Sequence, residues 1–282
     1  MRKYLSHFKN AALAARLSYP PGHYYSPVCN PKELIKRYHE PSTDSTSELP
    51  GIDLNKDGQI ARLLSWRKYL SECQFTEMPT PPRRYYFGGR CQYPLGDARS
   101  LHCFIRELNP HRIVEVGCGF SSACILDTIE QHQLDVRCTF IDPEIDRLLS
   151  LMHPEDRLRA SIYATPVQDV PMIEFESLNA NDILFIDSTH VLKTGSDVAF
   201  ELFEILPRLK AGVLVHFHDV HFPFEYPGLW VIDRNYSWNE IYAVRALLMY
   251  SKKFKIEFWN SYLDTLGQGV GPGASLWLSV AG

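Results

Sequence analysis

Two groups of residues in this sequence have types and spacings that could do chemistry. The first is Glu115-Val116-Gly117-Cys118-Gly119-Phe120-Ser121-Ser122, followed by Asp142 and then by Gln168-Asp169. Glycines at a strand-to-helix turn let the backbone come close to a ligand, and the helix start offers free N–H groups. An acid at the end of the next strand is where ribose hydroxyls are held in nucleotide-binding α/β folds. A dinucleotide fingerprint asks for a third glycine at position 122, where Ser122 stands, and that departure argues against NAD. The second group is Asp187-Ser188-Thr189-His190 together with His216-Phe217-His218-Asp219. Carboxylate oxygens suit hard divalent cations, and an imidazole adds affinity for Mn, Fe or Zn. Asp187, His218 and Asp219 are therefore the candidate metal set. His190, three residues past Asp187, is the candidate general base. His216 shares a strand face with His218 and reads as a hydrogen-bonded core histidine.

Residues so far apart in the chain can meet only if strand ends bring them to one edge. Apolar runs at Arg112–Val116, Val136–Ile141, Arg159–Tyr163, Asp182–Asp187 and Val213–His218 read as strands, with helices expected around 121–132, 144–152, 171–177 and 196–206. A helix from Gly96 onward precedes them, stopped by Asn109-Pro110. Alternation of this kind implies right-handed crossovers and a parallel sheet covered on both faces, so the carboxyl ends of neighbouring strands share an edge. A further helix near 237–251 and strands near 254–259 and 274–280, joined by the glycine-rich stretch Gly267 to Gly273, complete the chain. Ten of the nineteen prolines and the polar run Ser42 to Ser47 fall before residue 95, so residues 1–95 read as an N-terminal cap and 96–282 as the core domain.

With an acid before the glycines, Asp142 after the second strand, Asp169 after the third and Asp187 closing the fourth, residues 96–280 resemble a class I S-adenosylmethionine-dependent methyltransferase. That resemblance implies a Rossmann-like, mostly parallel seven-stranded sheet with its last strand antiparallel. It also implies that Glu115 and Gly117 lie near the amino-acid part of S-adenosylmethionine, that Gly119 lines the backbone turn, that Asp142 takes the ribose hydroxyls and that Asp169 faces the adenine, with Ser121, Ser122 and Asp187 as further cofactor-binding residues. Asp187-x-x-His190 with an acid at the next strand end looks like the metal-dependent macrolide and sugar O-methyltransferases, in which carboxylates hold Mg and the histidine is the base. Here His218 stands where that family has an acid, so Mg and Mn both stay open. The expected reaction is O-methylation of a sugar or another small natural product. The alternatives are a metal-free N- or O-methyltransferase, or a metal-dependent oxygenase or hydrolase using Asp187, His190 and His218.

Other features carry less. Asp53 to Ile60 opens like an EF-hand loop, but its twelfth position is Leu64, so it reads as a polar turn capping a helix from Gln59 to Leu70. Aromatics at Tyr85-Tyr86-Phe87 with Tyr93, and at Phe222, Phe224, Tyr226 and Trp230, flank the expected site and are candidates for a lid as well as for packing. Seven cysteines without a C-x-x-C pair point to a reduced, cytoplasmic chain without a structural zinc site. The basic start (Arg2, Lys3, Lys9, Arg16) reads as an exposed helix, since the apolar run Ala11–Ala15 is too short for a secretory signal. Of 282 residues 45% are hydrophobic, enough to bury a sizeable core, and a net charge of −4 lacks the basic field that holds nucleic acid. No apolar run approaches the roughly 18 residues of a membrane span. A small-molecule substrate is the expected partner, and a homo-oligomer is compatible with the composition.

Overall fold

Ile113 to Val116 are buried in succession, as a strand covered on both faces must be, and they form β1 (Arg112–Val116). The computed structural model describes residues 17–38, 49–89 and 91–282; the basic start at 1–16 and the polar run at 42–47 lie outside them. The other strands are β2 (Arg137–Ile141), β3 (Ala160–Tyr163), β4 (Ile183–Ile186), β5 (Leu214–Phe217), β6 (Phe254–Trp259) and β7 (Leu276–Val280). They make one seven-stranded sheet in the order β3-β2-β1-β4-β5-β7-β6. Neighbours from β3 through β5 run parallel, and β7 runs antiparallel to both β5 and β6. This is the Rossmann-like arrangement that the sequence implies. The strand order reverses between β1 and β4, which opens a crevice beyond their carboxyl ends.

In chain order the helices are α1 (Pro31–Arg37), α2 (Lys56–Ser65), α3 (Arg67–Glu72), α4 (Leu95–Leu108), α5 (Phe120–Gln131), α6 (Asp146–Leu151), α7 (Ile173–Glu176), α8 (Asp197–Phe200), α9 (Glu240–Leu248) and α10 (Asn260–Thr265). Asn109 ends α4 with φ +44°, its N–H returning to the Ile105 carbonyl, as the Asn-Pro stop implies. The helix expected over 196–206 is only partly regular: α8 widens into a π turn over Glu201–Ile205. The helix expected from Gln59 to Leu70 begins at Lys56 and breaks at the fully buried Trp66. Asn55 precedes it with φ +47° but does not cap it. Its side-chain amide donates instead to the Ile256 carbonyl on β6, at 2.8 Å. None of the helices among the described residues is long and apolar enough to cross a membrane.

The cap expected over 1–95 is not one body. The chain divides into a unit holding residues 41–225 and 239–282 and a smaller unit of residues 1–40 and 226–238. Trp66, Tyr85 and Tyr93 belong to the main core with Phe104, Phe140 and Trp277, so this part of the chain has buried apolar surface that a detachable cap would expose. Arg84 fastens it further. Its guanidinium, 3% exposed, pairs with Asp127 at 2.8 Å, Glu130 at 2.6 Å and Asp156 at 2.8 Å, and its backbone N–H reaches Asp127 as well. The smaller unit has its own ring cluster of Tyr226, Trp230, Tyr236 and Trp238, and the Tyr38 hydroxyl donates to the Tyr226 carbonyl.

Candidate active site

The glycine turn sits where the strand order reverses. Gly117 has φ +84°, and a Cβ there would lie 1.8 Å from the Asp187 carbonyl oxygen, so only glycine lets the ends of β1 and β4 come this close. Bonds from Gly117 N to Ile141 O and from Asp187 N to Val116 O, both 2.9 Å, carry the ladder past the strand ends. Asp142 closes the turn from the β2 side, accepting the Cys118 N–H at 3.0 Å and the Glu144 N–H at 2.7 Å. Beneath it, the Ser122 hydroxyl accepts the Gly119 N–H and donates to Glu115 Oε2, at 3.0 and 2.6 Å. Glu115 is fully buried, and burial pushes its carboxyl up to about 8 against the serines that favour its charge. Its other oxygen has no hydrogen-bond partner among the described residues.

A cleft of about 450 Å³ opens beside this turn, lined among others by Gly117, Asp142, Val167, Gln168, Asp187 and Thr189. That volume suits a small ligand. Asp169, expected at the adenine, is exposed, accepts from the Thr165 hydroxyl at 3.4 Å and is not part of the lining, whereas its neighbour Gln168 is. Ser121 and Ser122 are buried under the turn, so Ser122 shapes the turn from within instead of reaching the cleft. Gly119 and Glu115 likewise lie outside the lining.

The second group converges as the strand order requires. His218 Nδ1 stands 3.4 Å from Asp187 Oδ1 and 3.4 Å from Asp219 Oδ1. His190 Nε2 stands 3.6 Å from Asp187 Oδ1 and 3.5 Å from Asp219 Oδ2. Both His190 (φ +60°) and Asp219 (φ +56°) hold left-handed backbone, an uncommon conformation for side-chain-bearing residues that here turns the loops back over the strand ends. Burial alone would pull both imidazoles down. For His218, Asp219 and Asp187 outweigh it and hold the ring well above its usual range. For His190, Glu240 does most of the lifting, to about 9. Asp219, although burial would raise it, is held below the ordinary carboxylate range by His218. His216 takes no part: it stacks on Phe185 at 3.8 Å and bonds the Ser275 hydroxyl, and burial lowers its pKa.

Two residues that the sequence reading passed over complete the site. Asp97, fully buried, accepts the Ala274 and Ser275 N–H groups and the Asn260 amide, and its Oδ2 stands 3.2 Å from His218 Nε2. Glu240 Oε2 lies 2.8 Å from His190 Nδ1. Each is an acid in the first turn of a helix, α4 and α9, where an ordinary partner for the helix dipole is expected, so only their burial distinguishes them. Tyr93 packs on the His218 ring at 5.3 Å, its hydroxyl bonded to the Asp97 carbonyl. The aromatics considered for a lid are packing residues where they belong to the main unit: Tyr85 and Tyr93 are core, and Phe222 and Phe224 lie against Trp259.

A methyltransferase-domain model matches residues 114–220. An uncharacterized protein of Archaeoglobus fulgidus is 34% identical over 175 residues, covering 58% of this chain and 76% of its own length. Among solved structures, the O-methyltransferase TomG from Streptomyces achromogenes is similar at 14% identity and a TM-score of 0.44, covering 80% of this chain and 90% of its own. The Podospora anserina methyltransferase PaMTH1 is similar at 12% identity and a TM-score of 0.44, covering 89% and 93%. The matched segment begins on β1 and ends just past Asp219, running through β2, β3, β4 and β5, and residues 114–220 form a methyltransferase domain.

Proposed function

We propose that this methyltransferase methylates a hydroxyl oxygen of a sugar or other small natural product, with a divalent cation at Asp187, His218 and Asp219 and with His190 as proton acceptor. One observation carries the reading: the three donor atoms lie within 4.8 Å of one another, and His218 is backed by Asp97. With Nε2–H donating to Asp97, Nδ1 is left as a lone pair facing two carboxylates, the carboxylate–histidine arrangement that orients a metal ligand. A nitrogen in the set favours Mn²⁺ over Mg²⁺. Bound there, the ion would lower the pKa of a coordinated hydroxyl.

His190 would take the hydroxyl proton as the oxygen attacks the methyl carbon in line. Glu240 fixes the tautomer by accepting Nδ1–H, so Nε2 is the atom presented toward Asp187 and Asp219. Since carboxylates hold this imidazole near 9, proton acceptance at neutral pH requires that their charge be neutralised in the working site. On the donor side, Asp142 is assigned to the ribose hydroxyls and Gly117, with Asp187, to the methionyl end. Glu115, Gly119, Ser121 and Ser122 shape the turn from beneath. The half-buried Asp142 carboxylate and the cleft that it lines support this assignment.

A metal-free methyltransferase is favoured by one observation: His190 and His218 themselves place positive charge between Asp187 and Asp219. Electron paramagnetic resonance of the full chain titrated with Mn²⁺ separates the two. One bound Mn²⁺ that disappears in Asp219→Asn is expected, and an unchanged free-ion spectrum at millimolar protein would hand the assignment to the metal-free reading.

A further inference from the structure

A second cluster of metal-ligating side chains lies apart from the residues described above. Glu72 ends α3, His102 lies on α4 and His132 caps the end of α5. His102 Nε2 and His132 Nε2 stand 3.7 and 3.6 Å from Glu72 Oε2, and the three donor atoms all fall within 4.8 Å of one another. The His102 side chain is fully buried, that of His132 is 13% exposed, and neither Nε2 has a hydrogen-bond partner among the described residues.

The hydrogen bonds fix the tautomer of His102. Thr128 Oγ1 gives its hydrogen to the Cys124 carbonyl at 2.7 Å, so at the 3.3 Å contact with His102 Nδ1 it can only accept. Nδ1 therefore carries the proton and Nε2 is a bare lone pair, buried and directed at a carboxylate oxygen. Two acceptors facing one another in the interior need a positive partner between them. A proton fits poorly, because 3.6–3.7 Å is too long for an N–H···O bond. A zinc ion fits well: donors at bond lengths near 2.1 Å in a tetrahedron lie about 3.4 Å apart. Arg106 holds Glu72 from the other side, Nε to Oε2 at 2.7 Å and Nη2 to Oε1 at 3.3 Å, and leaves a lone pair of Oε2 toward the histidines. Orientation of a ligand carboxylate by an outer partner is what metal sites require.

We propose that Glu72, His102 and His132 form a second metal site, one that takes Zn²⁺ and staples α3 to α4 and α5. The lack of a C-x-x-C pair argues, in the sequence, against a structural zinc site. These ligands stand 30 residues apart along the chain, and no motif spacing announces them.

The test uses the full chain in the Asp219→Asn background, which weakens metal binding at the proposed catalytic cluster, stripped with chelator and titrated with Zn²⁺ against a chromophoric competitor. One tight zinc equivalent is expected, with a rise in Tm on loading and, for Co²⁺ in its place, the strong visible absorption of a tetrahedral ion. Adding His132→Gln should abolish all three responses; Glu72→Gln serves if that variant fails to fold by circular dichroism. No tight zinc in Asp219→Asn, or zinc retained in both added variants, overturns the proposal.

Discussion

Replacing Glu240 by glutamine isolates one charge at the site. The side chain keeps its size, and its amide oxygen can still accept the His190 Nδ1–H now 2.8 Å from Oε2. What disappears is a buried negative charge whose other oxygen has no hydrogen-bond partner among the described residues. His190 stands at about 9 instead of the ordinary 6.5, although burial opposes it, and Glu240 leads the groups that raise it, ahead of Asp219 and Asp187. A rise of that size corresponds to roughly 3 kcal/mol of net preference for the charged ring. Losing Glu240 should therefore lower the midpoint by at least one unit, about 1.4 kcal/mol. Because the folded value is raised, His190 contributes stability that is fully present below pH 6.5 and is lost as pH climbs through about 9, and Glu240→Gln should narrow that window from above. Ring proton NMR of the metal-free chain, with the His190 signal identified by its loss in His190→Gln, measures the midpoint directly. An unmoved midpoint would refute the claim that Glu240 governs this imidazole.

Two further outcomes follow from packing. Gly117→Ala adds a left-handed alanine and a Cβ against the Asp187 carbonyl, and should cost about 2–5 kcal/mol in urea unfolding; a loss below 1 kcal/mol would mean that β1 and β4 can part cheaply. Arg84→Ala leaves Asp127 and Asp156 buried without their cation and should cost about 3–5 kcal/mol, while a near-neutral result would show that the segment around Arg84 is held by apolar contacts alone.

The sheet was legible in the sequence because β1, β2, β4 and β5 are short, buried apolar runs, and β2 and β4 are followed directly by acids: β1 runs from Arg112 to Val116 as expected, and the antiparallel last strand followed from the resemblance. Asp187, His190, His218 and Asp219 could be brought together by the same logic, since β4 and β5 are parallel neighbours. Asp97 and Glu240 could not. They reach the site from helix starts far from it in the chain, and a helix-start acid looks the same in a sequence whether it faces solvent or a buried histidine. The cap boundary failed for a related reason: prolines before residue 95 reveal irregular backbone, but they do not reveal that Trp66, Tyr85 and Tyr93 are core.

S-adenosylmethionine is expected in the cleft between the Gly117 turn, Asp142 and Asp187. Calorimetric titration of the full chain with S-adenosylhomocysteine, and separately with NAD, measures this binding. One equivalent of S-adenosylhomocysteine should bind, with no heat from NAD and at least a tenfold weaker constant in Asp142→Ala, as losing a charge-assisted hydrogen bond of about 1.5–3 kcal/mol requires. NAD binding as tightly as S-adenosylhomocysteine, or an Asp142→Ala variant that binds like the parent chain, would contradict that placement.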